Sequence, residues 1–176
     1  MKLIRLYTAL CLTLLLATAQ AANIPAHIQQ ALPNARLSGE GSYRWFGLKI
    51  YDAALWVGEQ GYRENSAFIL NLNYARDLYG ARIAQASIDE IRQLKIGSSA
   101  QQEAWLSAMK ALFPDVKEGS QISGMFIPEH GARFYLDGNV LGEIKDPVFA
   151  QAFFAIWLDP RTSAASLRSK LLANSP

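Results

Sequence analysis

The chain of 176 residues contains one cysteine, Cys11, and only two histidines, His27 and His130. That supply excludes a disulfide framework, an iron–sulfur site and a Cys/His zinc centre, and no HExxH-type spacing is present, so neither a metal nor a cofactor is expected. There is no phosphate-cradling GxxxxGK[ST] loop and no G-x-S-x-G nucleophile elbow. Gly39-x-Gly41 runs into a strand pattern where a dinucleotide loop would open a helix, which removes that reading. Charge is scarce, at 18% of residues against 51% apolar ones. No charge block, low-complexity stretch or internal repeat divides the chain, which points to a single domain. Beyond the N-terminus no run is long and charge-free enough to cross a bilayer, which takes about 20 apolar residues.

The first 21 residues read as a leader. Met1-Lys2-Leu3-Ile4-Arg5 is a short cationic start, Leu6 to Ala17 is an uncharged, mostly apolar run, and Ala19-Gln20-Ala21 is a small-x-small exit. This is the pattern of a secretory signal peptide cleaved after Ala21, leaving residues 22–176 as the folded domain. Lys2 and Arg5 depart with it and no acidic residue does, so a formal charge of +2 becomes zero. A neutral domain lacks the broad positive field that non-specific binding to nucleic acid or an anionic membrane requires, so neither is expected as a partner. Cys11 also departs, leaving about 155 residues held by their core alone, of which a domain that long buries roughly 70% of its unfolded surface.

Periodicity then orders the domain. Leu37 to Val57 reads as two strands or one strongly bent one, with Phe46, Leu48 and Ile50 alternating at period two and Gly39 and Gly41 weakening the first half. Phe68, Leu70, Leu72 and Tyr74 mark another strand. Ile83, Ser87, Ile91 and Leu94, followed by Trp105, Ala108, Met109 and Leu112, recur at helical spacing and predict two helices broken near Gly97-Ser98. Strands return at Gln121 to Ile127, and Ala132 to Leu136 pairs with Val140 to Ile144 through the hairpin signal Asp137-Gly138. Asp146-Pro147 supplies an N-cap and a first-turn proline for a helix through Leu158. A short helix from about Ser163 buries Leu167 and Leu171. Strands, two helices, strands and two helices do not alternate as a parallel sheet does; the order predicts an α+β fold, an antiparallel sheet with helices on one face.

The residues that carry chemistry are aromatic groups around a few charges. Arg44 stands between Tyr43 and Trp45, with Glu40 four residues back on the same pleat face. On an internal face its guanidinium is either neutralised by Glu40 or free to meet an anionic ligand; on an external face it stacks on a neighbouring ring. Tyr79 precedes a helix start, as a ligand contact or as a half-buried phenol bonded to backbone. Trp45, Trp56, Trp105 and Trp157 read as core. Both histidines are expected on exposed loops.

The segment from Gly39 to Val57 resembles the opening motif of the chalcone isomerase superfamily, in its bacterial, exported, chalcone isomerase-like branch. The resemblance continues through Tyr74-Ala-Arg-Asp77, Ser87-Ile-Asp-Glu-Ile91, Phe113-Pro-Asp-Val-Lys-Glu-Gly119, Asp137-Gly-Asn-Val-Leu-Gly142 and Phe153-Phe-Ala-Ile-Trp-Leu-Asp-Pro160, covering Leu37 to Leu172. It implies an open-faced sandwich, a large antiparallel sheet covered on one face by helices, with a ligand cleft between the layers. In the plant enzymes of the superfamily an arginine on an early strand stabilises an anionic oxygen, and a tyrosine and an asparagine at a helix start orient it. Arg44 matches that arginine, Tyr79 that tyrosine, and Tyr51 falls near a hydroxyl-bearing threonine. Ala86 occupies the asparagine position, and its lack of a polar group tilts the reading from catalysis toward binding.

Three functions follow as expectations. The first is an exported, periplasmic protein binding a small lipophilic anion, a fatty acid or phenolic compound, through Arg44, Tyr51 and Tyr79. The second is an isomerase or lyase of the chalcone isomerase type in which Arg44 and Tyr79 are catalytic and Arg44 stabilises an enolate or phenolate. The third is a non-catalytic periplasmic accessory protein whose cleft is filled by side chains, with Arg44 paired to Glu40. Expressed with its leader in a bacterium that exports it, the chain is expected to begin at Ala22, which N-terminal sequencing of the osmotic-shock fraction checks.

Overall fold

The computed structural model describes residues 24–175; the leader, its cleavage point and Cys11 lie outside the described residues. The architecture is a six-stranded antiparallel sheet in sequential order: β1 (Arg36–Trp45), β2 (Leu48–Val57), β3 (Phe68–Tyr74), β4 (Gln121–Ile127), β5 (Gly131–Leu136) and β6 (Asn139–Ile144). Between β3 and β4 the chain forms a helical hairpin, α2 (Gly80–Gln93) and α3 (Ser99–Leu112). After β6 come α4 (Pro147–Leu158) and α5 (Ala165–Leu171), and α1 (Ala26–Ala31) precedes the sheet. This is the α+β sandwich expected from the order of elements.

Alternation along the strands assigns the two faces. Leu55, Val57, Phe68, Leu70 and Leu72 point into the main core beneath the helices, while Trp56 and Ile69 point the other way. The main core is organised by α4, in which eight of twelve residues are buried, so the helix is apolar nearly all round and must be covered. Asp146 starts it by accepting from the amides of Val148 and Phe149, and its second oxygen takes the Trp105 indole N–H at 2.8 Å, tying α4 to α3. Rings then interlock edge to face: Phe113 with Phe134 at 5.0 Å and Phe134 with Phe153 at 5.2 Å. Such pairs contribute about 0.5–1.5 kcal/mol each beyond their area. Ser98 and Gln101 close a reciprocal capping box at the start of α3.

Several expectations change. The period-two run of Phe46, Leu48 and Ile50 crosses a turn, because Phe46 and Gly47 both have positive φ, 46° and 80°, as a tight two-residue hairpin needs. Gly39 and Gly41 do not weaken β1, which runs unbroken; a Cβ at Gly39 would collide with the carbonyl oxygens of Lys170 and Leu171, so the glycine lets α5 lie directly on the strand beside a bulge. The helices are not confined to one face, since α1 covers the other with Ile28 and the adjoining Leu32 packed in one cluster with Trp56, Ile69, Met125 and Tyr135. His27 therefore lies on a helix rather than a loop, its Nε2 2.8 Å from the Ser123 hydroxyl, which in turn donates to Asn71. His130 sits in the β4–β5 turn, 3.1 Å from Glu143.

Two outcomes follow. Gly39→Val forces α5 off β1 and is expected to destabilise by about 3 kcal/mol, the upper end of overpacking costs, read from the denaturant midpoint. Burial lowers the His27 pKa below its ordinary 6.5, so the unfolded chain takes up the proton first. Stability from this site is present above pH 6.5 and is lost as pH falls below it; His27→Gln flattens that part of the stability profile.

Candidate functional site: a cavity between sheet and helices

Where β1, β2 and β3 pass beneath α2 and the C-terminal end of α4, the two layers do not close. They enclose a cavity of about 510 Å³, within the range of about 300–1,000 Å³ typical of small-molecule sites. Its floor is a ladder of three tyrosines. Tyr43, Tyr51 and Tyr74 are direct register partners across the three strands, so strand pairing itself sets them side by side. Tyr43 stacks on Tyr51 at 5.1 Å and Tyr51 meets Tyr74 edge-on at 5.9 Å. Leu72, Ile122 and Phe113 continue the apolar lining, and Ile83, Phe153 and Ile156 descend from the helices.

Electrostatically the interior is a set of neutral donors. Trp157 donates its indole N–H to the Tyr51 hydroxyl at 2.9 Å. Burial pushes the Tyr51 phenol far above its ordinary range, the Trp157 bond opposing this in part, and burial alone does the same to Tyr74. Tyr43 moves upward as well, from burial and then from the negative charge of Glu90. All three stay protonated at any physiological pH. Among the described residues no acceptor takes the Tyr51 hydroxyl proton, and the Tyr74 hydroxyl has no partner; both are free for a ligand oxygen.

The mouth is built from α2. Arg82, Ala86, Asp89 and Glu90 recur at spacings of four, three and one and so line one helix face, opposed by Tyr43 and Trp45 on β1 and by Ser163 and Ala164 ahead of α5. Ser163 donates to Glu90 at 2.7 Å, and Asp89 accepts from Gln85 and Arg92. The Arg82 side chain makes no hydrogen bond or ion pair among the described residues, and it stands at the rim of an apolar hollow.

The three residues singled out from sequence are separated. Tyr51 lies on the cavity wall. Arg44 does not: it is exposed, and its Nη1 donates to the Gly47 carbonyl at 3.2 Å across its own turn. Its neighbours Tyr43 and Trp45 line the cavity, and a strand turns alternate residues to opposite faces, so the guanidinium is directed toward the side of Asp52. Glu40 is exposed too, and no ion pair joins it to Arg44 among the described residues. Tyr79 is the N-cap residue of α2, 70% exposed, and stands outside the lining. Ala86 is at the mouth. Sequence reasoning missed Tyr43, Tyr74, Trp157 and Arg82. The signal for Tyr74 was its place at the end of the Phe68-Leu70-Leu72 alternation, and for Arg82 its place one helical turn before Ala86.

An antiparallel sheet layered under helices with a cleft between the layers defines a class of open-faced sandwich, and the comparisons agree with it. A crystal structure of a fatty-acid binding protein from Arabidopsis thaliana superposes with a TM-score of 0.63, at 14% identity, covering 81% of this chain and 89% of that one. A protein of Haemophilus influenzae described as uncharacterized is 31% identical over 138 residues, 78% of this chain and 67% of the relative. The profile of the chalcone isomerase-like family matches residues 17–173, and the chain belongs to that family.

The Tyr74 hydroxyl opens onto the cavity and is not among the buried polar atoms left without a partner. Tyr74→Phe is expected to change the stability of the unliganded protein by no more than about 0.5 kcal/mol, whereas Trp157→Phe, which strips Tyr51 of its donor and opens space, lowers it; chemical denaturation of both variants checks the pair.

Proposed function

We propose that the protein is exported to the periplasm and there binds a small lipophilic anion, a fatty acid being the first candidate, with its chain in the cavity and its carboxylate at the mouth against Arg82. The observation that carries this reading is an apolar hollow of about 510 Å³ with an unpaired guanidinium at its rim. A carboxylate drawn down to the tyrosine ladder would lose its water without meeting a cation, a large cost for a buried charge. At the rim it keeps part of its hydration and gains a charge-assisted bond. The leader supports export, and the fatty-acid binding protein that shares the fold supports the ligand class.

The role first given to Arg44 thus passes to Arg82. An isomerase of the chalcone isomerase type loses its motive here, since Arg44, the group meant to stabilise an enolate, is directed away from the cavity. The accessory reading, which needs a cleft filled by side chains, meets an open one.

Calorimetry with a long-chain fatty acid is the direct test, with one site per chain expected. Arg82→Ala should weaken the acid by roughly tenfold to a hundredfold, the value of a hydrogen bond to a charged group, and leave the corresponding fatty alcohol nearly unaffected. Ala86→Trp, which narrows the mouth, should abolish both. Full affinity for the acid in both variants would remove the proposal.

A further inference from the structure

Six large apolar side chains are substantially exposed among the described residues, and three of them gather at one turn. Trp45, Phe46 and Leu48 form the tip of the β1–β2 hairpin, 58%, 88% and 49% exposed. The hydrogen bond from the Ala75 amide to the Ile50 carbonyl holds the segment of Arg76 against the base of the same hairpin. At the tip Trp45 and Phe46 pack edge to face at 4.8 Å on a tight turn. Phe46 has positive φ, a conformation a bulky residue enters at a cost and Asn or Gly would adopt freely, so an aromatic ring is kept at the apex against the local preference.

Around this tip the exposed cations Arg44, Arg76 and Arg82 make no ion pair among the described residues. Of the acidic groups nearby, Asp52 pairs with Lys49, Asp77 with Lys117 and Asp89 with Arg92, while Glu90 accepts from the neutral Ser163 hydroxyl and keeps its charge. Trp45 and Arg82 belong at once to this surface and to the cavity mouth.

We infer that the Trp45-Phe46-Gly47-Leu48 hairpin is a membrane-docking tip that inserts into the interface of an anionic phospholipid bilayer and sets the mouth of the cavity against the lipid. Aromatic and leucine side chains suit the headgroup boundary, and unpaired arginines beside them suit anionic headgroups. The zero net charge of the leaderless chain rules out adhesion by a broad field, but an apolar anchor with a local collar of cations does not need one. The docking role adds to the lipophile-binding reading by giving the ligand a dry path between bilayer and cavity.

The test uses sedimentation with vesicles of phosphatidylethanolamine and phosphatidylglycerol, with phosphatidylcholine vesicles alongside. The parent protein is expected to partition onto the anionic vesicles, less so at high salt. Phe46→Asn with Leu48→Ser should lower that partitioning roughly tenfold or more, the value of one or two buried apolar side chains. Asn-Gly favours the same turn, so this variant folds, and neither residue lines the cavity, so fatty-acid binding in solution stays at the parent value. Equal partitioning of variant and parent, or no vesicle binding by the parent, overturns the inference, as does ultracentrifugation showing that the tip instead joins two copies of the chain. Vesicle binding that depends on the tip, without any fatty-acid binding, upholds the docking surface while removing the proposed ligand.

Discussion

The structure depends on covering one face of a six-stranded sheet with a helix that is itself apolar nearly all round. α4 satisfies this by sinking Phe149, Phe153, Phe154 and Trp157 into the strands, where they interlock with Phe113, Phe126 and Phe134. Rings held edge to face leave few ways to repack, which fixes the distance between layers. The same rigidity keeps the neighbouring end of the sandwich open. α4 ends at Leu158 and α2 approaches from the side, so the ends of β1 to β3 beneath them are lined but not filled.

The chemistry of the hollow follows from which groups could be placed there at tolerable cost. Phenols and an indole can be buried because they remain neutral and partly satisfy one another, as Trp157 and Tyr51 do. A guanidinium in the same place would need a partner, and the arginine that lines this cavity, Arg82, is exposed on the first turn of α2. Polarity is thereby sorted by depth: neutral donors inside, charge at the water line.

Much of the fold was legible beforehand, and the unread parts have particular causes. Asp137-Gly138 and Asp146-Pro147 announced a hairpin and a helix because turn and cap chemistry is local, and the structure has both. The Phe46-Gly47 turn was masked because Phe is an unusual residue for positive φ, so alternation seemed to run through it. The glycines of β1 looked like weak points because the helix they accommodate lies about 130 residues further on. Helix α1 was too short to show a period at all.

For the site the division is sharper. Tyr51 was placed by the family pattern, in which it falls near a threonine, and not by alternation along its strand, since Ile50 and Tyr51 both line the cavity; Arg44 stood one position from residues that do line it, and one position along a strand is the difference between inside and outside. Sequence determined the local units: which segments alternate, which turn, which helices need covering and which family pattern they repeat. Only the tertiary structure decided that Tyr43, Tyr51 and Tyr74 form one ladder, that Arg82 and not Arg44 lines its mouth, and that the two layers part there. Those facts depend on register between strands and on packing between elements distant in the chain, and neither is written in any single stretch of residues.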